Sequence, residues 1–242
     1  MGKADCFGES VNRMTTKINH WLTYKKRWEF NGTAEEAVIF SGANGGYEAR
    51  MQYEFLTQQG LQPKHHFLDL GCGALRGTIR LVGYLDAGHF HGLDISVGLL
   101  KEALIECERQ KFDKWPDLRL MESFDDPKLM GPFDCILCNS VTVHIEPDDI
   151  GDLFKGIKDA LAPTGRTFIS IHPYDEKETE PHHWDGYRWW YKRSWLAKEA
   201  AGAGLHLTDM PGLKTNRIPA QRRPVIPIVN TNMTEWMMEG SL

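Results

Sequence analysis

The 242-residue chain reads as an α/β protein, a mostly parallel sheet flanked by helices. Three observations predict this. The stretch His66-Phe-Leu-Asp-Leu-Gly-Cys-Gly-Ala-Leu-Arg-Gly77 passes from an apolar strand pattern, through a tight glycine turn, into helical spacing. A second strand, Phe90-His-Gly-Leu-Asp-Ile-Ser96, places Asp94 21 residues after Gly73. Strand and helix patterns then alternate through at least five strands, the order that builds a parallel sheet.

At the N-terminus, Asp5 to about Phe40 is polar and aromatic by turns, with Trp21, Tyr24, Trp28 and Phe30 spread through Lys/Arg-rich surroundings. It reads as helical but not core-forming. The turn-rich Ser41-Gly-Ala-Asn-Gly-Gly46 leads into a helix in which Tyr47, Met51, Phe55 and Leu56 share a face, and Gly60 stops it. Residues 1–64 are expected to form a helical cap over the sheet's ligand edge, with 65–242 as one compact unit. The plainer alternative is a surface extension that only adds stability.

Phe67, Leu68 and Leu70 supply the first strand, Gly71 and Gly73 let the backbone turn, and Leu75, Ile79, Leu81, Val82 and Leu85 recur at helical spacing. After the second strand, Val97, Leu100, Ala103, Leu104 and Cys107 trace a helix face closed by Trp115-Pro116. Leu118-Arg-Leu-Met121 is the third strand. Phe133-Asp-Cys-Ile-Leu-Cys-Asn139 is the fourth, continued by Ser140-Val-Thr-Val-His-Ile145 toward the ligand edge. Glu146-Pro-Asp-Asp149 opens a helix with Ile150, Leu153, Phe154, Ile157 and Leu161 on one side, ended by Pro163 and Gly165. The fifth strand, Thr167-Phe-Ile-Ser-Ile171, delivers His172 to the same edge.

A polar loop over 173–181 precedes the aromatic run His182-His-Trp-Asp-Gly-Tyr-Arg-Trp-Trp-Tyr191. Ser194 is placed as the N-cap of a helix through Leu196, Ala200 and Ala201 that stops at Gly202 or Gly204. Leu205-His-Leu-Thr208 reads as strand six and Val225-Ile-Pro-Ile-Val229 as strand seven, Pro227 suiting an edge or bulge. The tail from Met233 to Leu242 is expected to be loosely held.

Hydrophobic residues at 41% and charged residues at 25% are ordinary globular values. A formal charge of −5 gives no general electrostatic reason to bind nucleic acid, leaving only local patches such as Arg188, Lys192 and Arg193 or Arg217, Arg222 and Arg223. No apolar run reaches bilayer-spanning length and Met1-Gly-Lys-Ala-Asp lacks a signal-peptide core, so no membrane partner and a cytoplasmic location are expected. Five cysteines at irregular spacing do not suggest a disulfide framework. Cys135 and Cys138 sit three apart in a strand, pointing to opposite faces, which favours core packing over zinc or redox chemistry.

The glycine spacing Gly71-x-Gly73-x-x-x-Gly77 departs from the dinucleotide pattern, and Asp69 stands two residues before the first glycine. A carboxylate there repels a pyrophosphate but suits a cationic amino-acid tail or a bound water, which disfavours a nicotinamide-dependent oxidoreductase. The string resembles the first motif of class I S-adenosylmethionine-dependent methyltransferases. Asp94 lies where that family's second strand brings a carboxylate to ribose hydroxyls. Glu122-Ser-Phe-Asp-Asp126 falls where the family holds the adenine; the usual Asp is replaced here by Ser123, with Phe124 able to stack on the base. Asp134, Asn139 and His144 match the aspartate, short polar residue and histidine of the fourth motif. The resemblance covers about residues 66–172, with four motifs in order. It implies a Rossmann-like sheet of seven strands with the last reversed. It also implies S-adenosylmethionine as cofactor, held by Asp69, Gly71, Cys72, Gly73, Asp94, Ile95, Ser123, Phe124 and Asn139.

Methyl transfer from a sulfonium is an in-line displacement, so positioning and water exclusion do most of the work and a base is needed only for an acidic proton. His144 and His172 are the candidate bases, against the plainer reading of structural or capping histidines. Tyr47, Trp184, Tyr187 and Trp190 are candidate walls for an aromatic or cationic acceptor, unless the aromatics only pack their loop onto the N-terminal helices. His182-His183 beside Asp185 lack a spaced third ligand, so no metal is expected. The reading is methyl transfer to an O or N atom of a small molecule in an enclosed pocket. Alternatives are a protein or peptide acceptor, which needs an extended groove, a non-catalytic cofactor-binding subunit, and an unrelated rearrangement in the same fold. A nucleic-acid acceptor is disfavoured by Asn139-Ser-Val-Thr, where an Asn-Pro-Pro-Tyr string would stand.

Overall fold

The structure is a computed structural model and describes residues 3–32, 36, 46–171, 182–184, 188–209 and 236–241. Its centre is β1 (Phe67–Leu70), flanked by β2 (Phe90–Asp94) and β4 (Phe133–Cys138). With β3 (Asp117–Leu120) outside β2 and β5 (Leu161–Ile171) outside β4, five strands run parallel in the order β3-β2-β1-β4-β5. This parallel part has five strands, not seven. Beyond it, β9 (Trp236–Ser241) lies antiparallel to β5, and β8 (His206–Asp209) antiparallel to β9. A separate hairpin pairs β6 (His182–Trp184) with β7 (Trp189–Tyr191).

Alternation along the strands divides the core into two layers. Leu68, Ile136, Cys138 and Ile169 face α6 (Pro147–Ala160), whose Ile150, Leu153, Phe154 and Ile157 are all at most 1% exposed, and α7 (Arg193–Gly202) through Leu196. Phe67, Cys135, Leu137 and Phe168 face the opposite way, onto α2 (Tyr47–Gln58), α3 (Ile79–Tyr84) and α4 (Val97–Arg109). Burying one Phe or Ile stabilises by about 1.5–3 kcal/mol, so the apolar stripe of α6 accounts for a large share of that layer. The two cysteines therefore do pack on opposite faces, and burial raises both thiol pKa values, that of Cys135 to about 12.

Helix ends follow the glycines. Gly60 (φ +96°) sends its N–H to Thr57 O while Leu61 N–H reaches back to Leu56 O; Gly204 (φ +84°) and Leu205 repeat the pattern on Ala201 and Ala200. Both are left-handed closures that a residue with a Cβ adopts at a cost. Helix α7 begins at Arg193 with Lys192 as its cap, two residues before the expected Ser194.

Several boundaries differ from the sequence reading. The helix after the glycine turn begins only at Ile79, because Leu75 is held at φ +58° and the turn runs on through Thr78. β4 stops at Cys138 rather than continuing to Ile145; Ser140 at φ +58° swings the chain into a one-turn 3-10 helix over Thr142–His144. β5 starts at Leu161, so Pro163 and Gly165 sit within that strand's bounds rather than ending the helix in a loop. Strand six is shifted by one residue to His206–Asp209. The proposed strand Val225 to Val229 lies outside the described residues. The tail expected to be loose instead contributes β9, whose backbone is paired on both sides, by β5 and β8.

Candidate active site

In an open parallel sheet, ligands collect where the strand order reverses, outside the carboxyl ends of the strands. Here that point is the β1/β4 boundary. A cavity of about 220 Å³ lies there, lined from below by Asp69, Gly71, Cys72 and Gly73 after β1, Asp94 and Ile95 after β2, Met121 and Phe124 after β3, and Asn139, Val141, His144 and Ile145 after β4. Helix α1 (Lys3–Trp28) adds Trp21, Tyr24 and Trp28 to its lining.

The glycine turn is shaped by its neighbours. Gly71 has φ +78°, and a Cβ on it would stand 2.3 Å from Val141 Cγ2. Gly73, at φ +52°, donates its N–H to Asp94 Oδ2 at 2.8 Å. A Cβ on Gly77 would fall 2.4 Å from the Gln52 side-chain amide, so the third glycine makes room for α2. Arg76, which also lines the cavity, is paired with Glu48 of α2 at 2.7 Å.

Two carboxylates share this floor. Asp94 also accepts the Ser96 N–H on Oδ1 at 2.9 Å. Burial raises its pKa, and the N–H groups of Ser96 and Gly73 work against that rise. Asp69 is 5% exposed and accepts the Thr78 hydroxyl; burial, opposed by that hydrogen bond and reinforced by Asp94, pushes its pKa up to about 7. A cation entering the cavity would favour the ionised form of both.

Helix α1 is docked by polar contacts at each end of its described side chains. Tyr24, 2% exposed, donates to Asp149 Oδ2 at 2.8 Å and accepts the Glu146 N–H at 2.8 Å. His20 Nδ1 stands 3.0 Å from the same Asp149 oxygen, and Lys17 pairs with Asp152. Trp21 meets Phe124 edge-on, centroids 5.3 Å apart, and Trp28 lies over His144 with centroids 4.0 Å apart. Contrary to the sequence reading, this segment does form core: Tyr24 and Phe30 are buried.

The structure thus gathers Asp69, Gly71, Cys72, Gly73, Asp94, Ile95, Phe124, Asn139 and His144 around one cavity. Ser123 is not among its lining residues; its side chain is exposed and turned to Asp126 Oδ1 at 3.2 Å and to the Asp125 N–H. Asp134 stands at the amino end of β4, accepting the His66 N–H at 2.8 Å, away from the ligand edge. Trp190 is in the β6/β7 hairpin under the Arg188 guanidinium, outside the lining, and Tyr47 begins α2, its side chain lying outside the described ones. His172 and Tyr187 lie outside the described residues, as does the side chain of Trp184. The sequence reading missed Trp21, Tyr24 and Trp28 as lining residues. Their spacing, i, i+3 and i+7, marks a single helix face and was the available signal.

The chemistry matches a cationic adenosyl cofactor: a glycine cradle that a Cβ would fill, a carboxylate at the end of β2 with lone pairs left for a diol, and apolar and aromatic walls. Residues 68–167 match the sequence profile of a family described as a methyltransferase domain. An uncharacterized protein of Synechococcus sp. is 29% identical over 132 residues, 54% of this chain and 31% of that protein, so the chain spans under a third of its relative's length. Among solved structures, an S-adenosylmethionine-dependent methyltransferase from Clostridium acetobutylicum superposes with TM-score 0.60 at 17% identity, over 85% of this chain and 94% of the other. Magnesium protoporphyrin IX methyltransferase from Synechocystis PCC 6803, with bound S-adenosylmethionine, superposes with TM-score 0.55 at 16% identity, over 93% and 90%. At these identities the superpositions speak for the fold.

Proposed function

We propose that the protein, whose residues 68–167 match a methyltransferase-domain profile, is a class I S-adenosylmethionine-dependent methyltransferase that methylates an O or N atom of a small acceptor enclosed beneath α1. The observation that supports this reading is the lining of the strand-end cavity by Trp21, Tyr24 and Trp28 of α1. In this view residues 1–64 act as the cap and 65–242 as the catalytic unit.

When bound, S-adenosylmethionine supplies a methyl group on an electrophilic sulfonium. Gly71, Cys72 and Gly73 offer it a bare backbone, Asp94 the acceptors for its ribose diol, Asp69 a counter-charge for its amino-acid end, and Ile95 and Phe124 apolar surfaces for its base. Asn139 offers a short polar side chain at the end of β4. His144, in the 3-10 turn beside them, is placed to take a proton from an acceptor hydroxyl or ammonium; Trp28 and Tyr24 exclude water. An aromatic or cationic acceptor suits indole and phenol faces. His172 remains the second candidate base, and Tyr47, Trp184, Tyr187 and Trp190 remain candidate walls for the acceptor.

The test is transfer of isotopically labelled methyl from S-adenosylmethionine into low-molecular-weight phenols, carboxylic acids and amines, followed by mass spectrometry. Label appearing only in protein or peptide would favour an open binding surface. Cofactor binding without any labelled product would favour a non-catalytic subunit.

A further inference from the structure

The contact between the end of α1 and the start of α4 is used by none of the roles above. Just past Trp28, the Glu29 carboxylate receives the first N–H groups of α4, Gly98 N on Oε1 at 3.0 Å and Val97 N on Oε2 at 3.3 Å. Phe30 follows, buried, donating its N–H to Ser96 Oγ at 3.0 Å; the same oxygen accepts the Leu99 N–H as the N-cap of α4. The approach is close enough that a Cβ on Gly98 would lie 1.6 Å from Phe30 O. An acid at a helix N-terminus is electrostatically favoured, and here it comes from a segment 68 residues away in sequence from Val97.

Ser96 joins this clamp to the carboxylate assigned to the ribose. Its N–H holds Asp94 Oδ1 at 2.9 Å, while Asp94 Oδ2 holds the Gly73 N–H of the glycine turn. A continuous run of hydrogen bonds therefore leads from Glu29 and Phe30 through residues 96–98 to Asp94 and Gly73. On its other side Glu29 is next to Trp28, which covers His144.

We propose that Glu29 is a positioning residue that couples docking of α1 over the acceptor side of the cavity to the geometry of the cofactor side, so that cofactor binding and closure of α1 favour one another. The proposal rests on the methyltransferase reading for the identity of the ligand. Coupling of this kind is reciprocal: whatever affinity the closed helix lends the cofactor, the bound cofactor returns as stability of the closed helix.

The test uses the full chain as wild type, Glu29→Ala, Glu29→Gln and Gly98→Ala, with S-adenosylhomocysteine as probe. Calorimetry gives Kd, and hydrogen exchange reads the amides of α1 with and without the probe. The expected result is slowed exchange in α1 when wild type binds. Glu29→Ala and Gly98→Ala, which break the contact from opposite sides, should bind at least about fivefold more weakly, with α1 exchange no longer responding to the probe. Glu29→Gln, keeping one acceptor oxygen for two N–H groups, should fall between. Wild-type binding with unchanged Kd in both disruptive variants overturns the coupling alone. Faster exchange throughout β1 to β5 in those variants, marking general destabilisation, also counts against it. No uptake of the probe by wild type would instead sink the methyltransferase reading.

Discussion

Asp94 and Gly73 are joined directly, the Gly73 N–H donating to Asp94 Oδ2 at 2.8 Å, so the carboxylate at the end of β2 also holds the turn after β1. Asp94→Ala therefore removes two things, the acceptor proposed for the ribose and a tether for the turn. The loss of charge-assisted hydrogen bonds should weaken S-adenosylhomocysteine by about 1.5–3 kcal/mol, roughly ten- to more than a hundredfold in Kd. Calorimetry decides it: an unchanged Kd would take Asp94 out of the site.

Gly71→Val should abolish binding for a different reason. Its φ of +78° resists a β-branched side chain, and the new atoms would meet Val141 Cγ2 at 2.3 Å from the Cβ alone. Val141 lies in the segment leading to His144, so the damage should spread to the acceptor side. A folded variant, by circular dichroism, that binds and turns over normally would contradict the placement of the cavity.

A pH dependence follows from Asp69, whose pKa is pushed up to about 7 by burial. In the free protein Asp69 is protonated below that value, and a cationic ligand must draw its proton off to gain a counter-charge. Affinity for S-adenosylhomocysteine, whose amino group is cationic, should rise with pH up to about 7 and then level off; Asp69→Asn should flatten the profile. Stability runs the other way. A carboxylate raised from its ordinary value binds its proton more tightly when folded, so folding is disfavoured progressively as pH climbs toward 7 and fully above it. Asp69→Asn should consequently raise Tm more at pH 8 than at pH 5, the gain shrinking toward pH 4. A Tm gain confined to pH 5 would reverse the assignment.

The parallel sheet and the floor of the strand-end cavity were legible because both follow short-range rules. Glycine turns, the short apolar run Phe67 to Leu70 and the helical stripe Ile150, Leu153, Phe154 and Ile157 each carry their own signal. What escaped depended on partners far along the chain. Ser140 carries no sequence mark of its left-handed conformation, so the strand pattern of β4 runs on past the point where the chain turns; Asp134, matched to the fourth motif, starts that strand and holds the His66 N–H. Ser123 stands where the family's adenine contact would, but Asp126, three residues on, receives both its N–H and its hydroxyl, a pairing that the family pattern does not announce. β9 is assembled by pairing with β5 and β8, a relation that the tail's own residues do not announce.

The face formed by Trp21, Tyr24 and Trp28 gives a prediction that separates the two halves of the cavity. Trp28 lies over His144, on the proposed acceptor side, whereas Trp21 meets Phe124, on the proposed adenine side. Removing either indole opens space and loses an aromatic contact of about 0.5–1.5 kcal/mol beyond its buried area. The consequences should differ. Trp28→Ala should cut kcat/KM for the acceptor by about tenfold or more through lost positioning and water entry, while Kd for S-adenosylhomocysteine stays within about threefold of wild type. Trp21→Ala should weaken S-adenosylhomocysteine first and lower turnover mainly at limiting cofactor. If both variants lost cofactor affinity equally and neither changed acceptor turnover at saturating cofactor, α1 would cover the cofactor alone, and the acceptor would have to be sought outside the enclosed cavity.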